Sequence, residues 1–278
     1  MYKIGWYSTG RGQGSLNLLH AIVRAIRDGD VRADISYVFC SREPGDAEGS
    51  DRYIRQVKEY GLDLVCFSSK TFRPELRAEG KQNPEALNRW RLEYDREIIK
   101  RIDGRGADLS VLAGYMLVVG AEMCRMLDMV NLHPAAPGGP AGTWQEVIWQ
   151  LIDRGAASSG NMMHLVIEEL DKGPPITFSE FSVRGPGFDG LWEDMQKKLA
   201  VRSLAEIERN EGVDNPLFAK IRQEGARREI PLVVQTVKAF AEGRVRLDNK
   251  HIIAGGEVLP GPYCLTDDIE AFLRGRPV

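Results

Sequence analysis

Short apolar runs alternate along this chain with longer stretches in which apolar residues recur every three or four positions. Residues 2–8 (YKIGWYS) make the first short run, which breaks at Thr9-Gly10. Leu16, Leu18, Leu19, Ala21, Ile22 and Ile26 then keep a helical spacing that stops at Gly29. Ile35 to Cys40 reads as a second strand, and residues 51–60 as a helix with Gly61 in the terminator position. Leu64 to Phe67 is a third strand, followed by a helix over about 84–103, a strand at Leu109–Ala113 and another near Met129–Leu132. This alternation predicts an α/β fold with a mainly parallel, Rossmann-like sheet flanked by helices. Ligands dock at the carboxyl ends of strands in such sheets, so chemistry is expected just after the first, fourth and fifth strands.

Further along, Asn161–Leu170 (NMMHLVIEEL) has strand character and runs into a turn at Asp171-Lys172-Gly173-Pro174-Pro175. Ile176 to Val183 is another predicted strand. Residues 191–209 and 215–228 are helical in period with Asn215-Pro216 between them, and a separate helix is expected from Ile230-Pro231 to near Gly243, followed by a β-like tail. Residues 1–190 are expected to form the catalytic domain, and 191–278 a helical C-terminal extension with a short tail packed on the same domain.

Composition narrows the function. With 278 residues, 43% of them hydrophobic, the chain can bury one large α/β core. A formal charge of −3 with mixed signs offers no basic face for nucleic acid. No apolar run is long enough to span a membrane, and MYKIGWYSTG lacks the pattern of a signal peptide. Cys40, Cys66, Cys124 and Cys264 are far apart and have no metal-ligand spacing, so reduced thiols in a cytoplasmic protein are expected, with no metal.

Two places carry candidate chemistry. Ser8-Thr9-Gly10-Arg11-Gly12-Gln13-Gly14-Ser15 joins the first strand to the first helix. Its glycines allow close backbone approach, and the amides of the first helical turn favour an anion. The loop therefore suits phosphate, with Ser15 as a candidate hydroxyl donor and Arg11 as a candidate charge partner, although the Gly-Lys-Ser/Thr ending of a Walker loop is missing. Gly10-x-Gly12 with Ser41-Arg42 after the second strand also admits an NADP reading. The second place is Asn131-Leu132-His133-Pro134, where an amide and an imidazole two residues apart end a strand. Asp171, in a turn stiffened by Gly173, Pro174 and Pro175, is a carboxylate that could orient such an imidazole. An Asn, a His and an Asp make an oxyanion and proton-transfer set that needs no nucleophilic side chain. His164, within the apolar run MMHLV, reads as a structural residue that lines the pocket.

With these motifs the chain resembles the glycinamide ribonucleotide formyltransferase family, a branch of the 10-formyltetrahydrofolate-dependent formyltransferases. The likeness runs from the N-terminus to about Val183. It is densest from Tyr94-Asp95-Arg96-Glu97 through Ala107–Met116 to Asn131–Pro134, and again over His164–Pro174. The resemblance implies that Asn131, His133 and Asp171 are catalytic and that Gly12, Gln13, Gly14 and Ser15 hold the substrate phosphate. It further implies that Arg91, Met116, Leu117, Val118, Val119, Ile167 and Glu168 contact the folate. The implied partners are small molecules, glycinamide ribonucleotide and 10-formyltetrahydrofolate, with no nucleic acid and no membrane; a homodimer is compatible with the reading. The chain departs from the family in its longer glycine loop, in Leu117 where an arginine is common, and in Ala135–Pro140 after the histidine. Glu224 and Glu229 are candidates for a glutamate on the phosphate side. An amino-sugar nucleotide or methionyl-tRNA as acceptor, hydrolysis of the formyl folate, an NADP-dependent oxidoreductase and a non-catalytic nucleotide-binding module are the competing readings. The last two leave Asn131, His133 and Asp171 without a shared role.

Overall fold

A computed structural model describes residues 1–275. The chain divides into two units that do not follow chain order. One comprises Met1–Asn131, His164–Pro174 and Thr236–Pro260; the other comprises Leu132–Met163, Pro175–Gln235 and the described residues from Gly261 onward.

The first unit opens with β1 (Tyr2–Ser8), α1 (Gln13–Arg27), β2 (Ala33–Cys40), α2 (Glu48–Glu59) and β3 (Leu64–Cys66). It continues with α3 (Pro74–Glu79), α4 (Pro84–Ile102), β4 (Leu109–Leu112), α5 (Ala121–Met126) and β5 (Met129–His133), the last of which leaves the unit after Asn131. The strands lie side by side in the order β5-β4-β1-β2-β3, and every pairing among them is parallel. Central strands of such a sheet are covered on both faces, which explains why β1 and β4 are almost wholly apolar. On one face Tyr7, Phe39 and Leu112 pack against Trp90, Tyr94 and Ile98 of α4. Trp90 stacks on Tyr94 with ring centroids 5.0 Å apart, and Tyr94 donates to the carbonyl of Phe67 at 2.6 Å. These contacts fix α4 against the carboxyl ends of the strands.

The second unit contains α6 (Trp144–Asp153), the larger part of β6 (Ser158–Leu165), β7 (Pro175–Ser182), α7 (Asp189–Leu199), α8 (Leu204–Glu211) and most of α9 (Pro216–Ala241). Thr143 and Ser203 start α6 and α8 with reciprocal capping boxes to Glu146 and Glu206. Trp149, Trp192, Ile207 and Phe218 share the core of this unit. The chain then returns to the first unit as a three-stranded antiparallel sheet of β8 (Arg246–Asp248), β9 (His251–Ala254) and β10 (Glu257–Val258). Its two-residue turns, Asn249-Lys250 and Gly255-Gly256, have positive φ at both positions, as tight hairpins require. The described chain ends in the second unit with β11 (Tyr263–Cys264), parallel to β7, and α10 (Thr266–Gly275).

The mainly parallel sheet flanked by helices agrees with the pattern of the sequence, and three local expectations are corrected. The strand expected through Leu170 ends at Leu165. There Leu165 N–H still bonds to the Pro174 carbonyl, but Val166 N–H turns to Met129, and Glu168 to Leu170 are exposed. Second, no helix break occurs near Pro231: α9 runs unbroken from Pro216 to Ala241. A proline removes one helical N–H, while buried Leu232, Val233, Val234 and Val237 supply the packing that holds the helix together. Third, the predicted helix over 191–209 is two helices, α7 and α8, divided where Ser203 caps the second.

Candidate functional site

Thr9 and Gly10 carry the chain out of β1. Gly10 adopts φ +63°, and a Cβ there would lie 2.8 Å from Cβ of Tyr53, so only glycine fits. Thr9 N–H bonds to the Gly114 carbonyl and its hydroxyl meets Ser41 Oγ at 2.9 Å and accepts from Met116 N–H at 2.9 Å. The loops after β1, β2 and β4 are thereby tied together. Gly12 is the N-cap of α1 and gives no side-chain cap, and the first turn has no acidic residue. No atom lies within 4 Å of where a Cβ would stand on Gly12 or Gly14. The start of this fifteen-residue helix thus has no side-chain cap, and the positive end of its dipole lies there. Gln13 and Gly14 are exposed, while Ser15 is buried with its hydroxyl against Gly114.

Past β4, Met116 is 56% exposed, Leu117 and Val118 are half-buried and Val119 is buried. The segment is anchored at its far end, where Gly120 N–H donates to Asp95 Oδ2 at 2.6 Å. Burial pushes the Asp95 carboxyl up to about 7, against the opposing pull of that amide and of Arg91. Arg91, on α4, donates to Asn88 Oδ1 at 3.4 Å and is partly exposed.

Asn131 lies in β5, and its Nδ2 stands 3.5 Å from His164 Nε2. His164 is buried, and its Nδ1 stands 3.0 Å from the Leu165 carbonyl. A carbonyl can only accept, so Nδ1 carries a proton, and Nε2 is the ring atom that faces the Asn131 amide. Asp171 approaches the same Nε2, with Oδ1 at 3.6 Å. Its φ of +56° is a left-handed position that Asp tolerates, and Gly173 makes the turn feasible, since a Cβ there would fall 1.6 Å from the Leu165 carbonyl oxygen. The imidazole read from the sequence as structural and pocket-lining stands next to both Asn131 and Asp171. His133 ends β5, is 5% exposed and belongs to the second unit. Glu224 is held by Lys220, Arg227 and Arg228, and Glu229 pairs with Arg222.

A cavity of about 410 Å³ opens beside this cluster in the first unit. Ile167 and Glu168 line it, together with Cys124, Arg125, Val166 and Lys250, which were not among the residues singled out from the sequence. Lys250 reaches the cavity from the β8–β9 turn and is fixed there by Asp128 at 2.5 Å. Only the hairpin brings it near, so no local signal could have revealed it. Among the described residues no cluster of three or more His, Cys, Asp or Glu is arranged to hold a metal ion, and no helix is long and apolar enough to cross a membrane.

Residues 12–187 match the family model described as formyl transferase. The chain is 28% identical over 177 residues to a phosphoribosylglycinamide formyltransferase of Saccharomyces cerevisiae, covering 58% of this chain and 82% of the relative. A protein of the same name from Haemophilus influenzae is 25% identical over 264 residues, covering 94% and 97% of the two chains. Among solved structures, the phosphoribosylglycinamide formyltransferase of Coxiella burnetii superposes with a TM-score of 0.59 at 19% identity, covering 94% of this chain and 99% of that one. That last likeness shows a shared fold.

Proposed function

Because the chain belongs to the formyl transferase family, we propose that it moves a formyl group from 10-formyltetrahydrofolate to the primary amine of glycinamide ribonucleotide. The observation that carries this reading is the single cluster in which Asn131 and Asp171 meet one buried imidazole beside the cavity lined by Ile167 and Glu168. The names of the relatives supply the acceptor.

The chemistry needs few groups. The amine nitrogen attacks the formyl carbon, a C–N bond forms and the carbonyl π electrons move to oxygen. Asn131 and His133 are assigned to stabilise that oxyanion. Asp171 is assigned to relay the proton lost by the attacking ammonium toward the departing folate nitrogen, whose bond to carbon then breaks. His164 stands beside both the amide of Asn131 and the carboxylate of Asp171, which brings the two side chains to one ring. The uncapped start of α1, from Gly12 to Ser15, is assigned to the phosphate of the substrate. The folate is assigned to Arg91, to Met116, Leu117, Val118 and Val119, and to Ile167 and Glu168. The cavity suits a flat heteroaromatic ring: its walls are largely apolar, with the polar groups of Glu168, Arg125 and Lys250 at hand. The reaction uses small molecules in the cytoplasm, and no step calls on a metal.

The test is a spectrophotometric assay with a 10-formyl-dideazafolate and three acceptor conditions: glycinamide ribonucleotide, an amino-sugar nucleotide, and no amine. Turnover with the first alone supports the assignment. Turnover with the second alone removes the acceptor and keeps formyl transfer, and turnover without amine converts the reading to hydrolysis.

A further inference from the structure

Arg42 follows β2 directly, and the proposed reaction gives it no role. Its Nη1 donates to the Ser41 carbonyl at 2.9 Å and also to Ser69 Oγ. Arg77, on α3, reaches the same serine from the other side and donates to the Ser69 carbonyl at 2.6 Å. The Arg77 guanidinium also lies over the Trp90 ring, 5.1 Å from its centroid, which fixes its plane. Two guanidiniums therefore converge on one residue at the carboxyl ends of β2 and β3.

The electrostatics are unfavourable as they stand. Burial lowers the pKa of Arg77, and the neighbouring positive charge of Arg42 lowers it further. Neither arginine has an ion-pair partner among the described residues. Asp46 accepts from Glu43 N–H and feels the charges of Lys70 and Arg42, but makes no ion pair with Arg42 among the described residues. Lys70 itself donates to the Asp46 carbonyl at 2.6 Å. Each guanidinium spends one terminal nitrogen on protein oxygens, and a planar fork of further donors remains on both.

We propose that Arg42 and Arg77 form an anion subsite at the carboxyl edge of β2 and β3, which takes a phosphate or carboxylate group of a ligand docked on that edge. An oxyanion between the forks would relieve the like-charge repulsion and satisfy donors in the bidentate geometry that arginine favours. The position is right for it. Ser41 bonds to Thr9, and Thr9 holds both the glycine loop and Met116, so the subsite adjoins the segments assigned to the two substrates. It is separate from the helix start of α1, because its donors come from side chains after β2 and on α3.

Calorimetric titration of the full chain tests this with two probes, inorganic diphosphate and γ-linked triglutamate. The wild type binds at least one of them, and the preferred probe identifies the source as phosphate or carboxylate. Arg42→Gln and Arg77→Gln each weaken that binding by about tenfold or more, as loss of a charge-assisted pair implies. Arg77→Lys, which keeps the charge but not the fork, falls between, and serves if a glutamine variant fails to fold. Arg52→Gln, an exposed arginine of α2, changes the affinity less than about twofold. Absence of binding to both probes, or equal affinity in wild type, Arg42→Gln and Arg77→Gln, overturns the proposal.

Discussion

Asp171 sets its Oδ1 3.6 Å from Nε2 of His164, and it does so from a left-handed backbone position at the edge of a turn. The carboxylate is 38% exposed and the imidazole is 3% exposed, so the pair joins a wet acid to a buried ring. Removing the acid should therefore cost catalysis rather than stability. Asp171→Asn keeps the shape and tolerates the same φ. Its kcat should fall by about two to four decades, the range of general acid–base assistance, with the melting temperature unchanged. Steady-state kinetics beside thermal unfolding reads both.

His164 should behave in the opposite way. His164→Phe keeps an aromatic ring and strands the Leu165 carbonyl and the Asn131 amide without their partner. A loss of roughly 1–3 kcal/mol in unfolding free energy is expected, with a drop in kcat. Chemical denaturation that shows wild-type stability would remove the imidazole from its anchoring role.

Gly12 separates stability from binding. The N-cap of α1 has no side-chain partner, and nothing stands within 4 Å of a Cβ there. Gly12→Asp should cap the helix and add a few tenths of a kcal/mol. It also puts a carboxylate where the substrate phosphate is assigned, so KM for the phosphorylated acceptor should rise by about tenfold or more. Parallel measurement of melting temperature and KM checks the two signs.

Asp95 gives a pH dependence whose sign is fixed by burial. Its carboxyl is raised from 3.8 to about 7, so the folded state binds a proton more tightly than the unfolded chain does. The stability this contributes is fully present below the unfolded value and is lost as pH rises through about 4 to 7. Asp95→Asn retains an acceptor for Gly120 N–H and cannot ionise. Melting curves of the variant and wild type should diverge across that window, with the variant the more stable above it. A constant difference at all pH values would contradict the assignment.

Gly173→Ala places a Cβ 1.6 Å from the Leu165 carbonyl oxygen. Backbone must move, and the turn that carries Asp171 moves with it. Both folding and activity should suffer, and hydrogen exchange at Leu165, whose N–H bonds to Pro174, would register the opening.

The sheet was legible because a buried parallel sheet writes itself as short apolar runs between helical periods. The helix expected over 84–103 is Pro84–Ile102, begun by the cap of Asn83. The six-residue helix α3 escaped because its periodicity is too short to register. Pro231 gave a local stop signal that tertiary packing overrode. At the candidate site, strand-end position singled out Asn131 and His133 and turn chemistry singled out Asp171, whose ring partner in the fold is His164. His164 read as a structural, pocket-lining ring from its apolar run, and its contacts with Asn131 and Asp171 emerge only in the fold. The place of Lys250 and the meeting of Arg42 and Arg77 at Ser69 depend on contacts between distant segments, which no spacing records.

The most direct test of the account follows the formyl carbon itself. The protein is incubated with 10-formyl folate labelled with carbon-13 in the formyl group and with glycinamide ribonucleotide, and the products are resolved by mass spectrometry. The account predicts label in the N-formyl amide of the ribonucleotide, and loss of that product in Asp171→Asn. Label recovered only as free formate, or labelled ribonucleotide formed at the wild-type rate by Asp171→Asn, would contradict it.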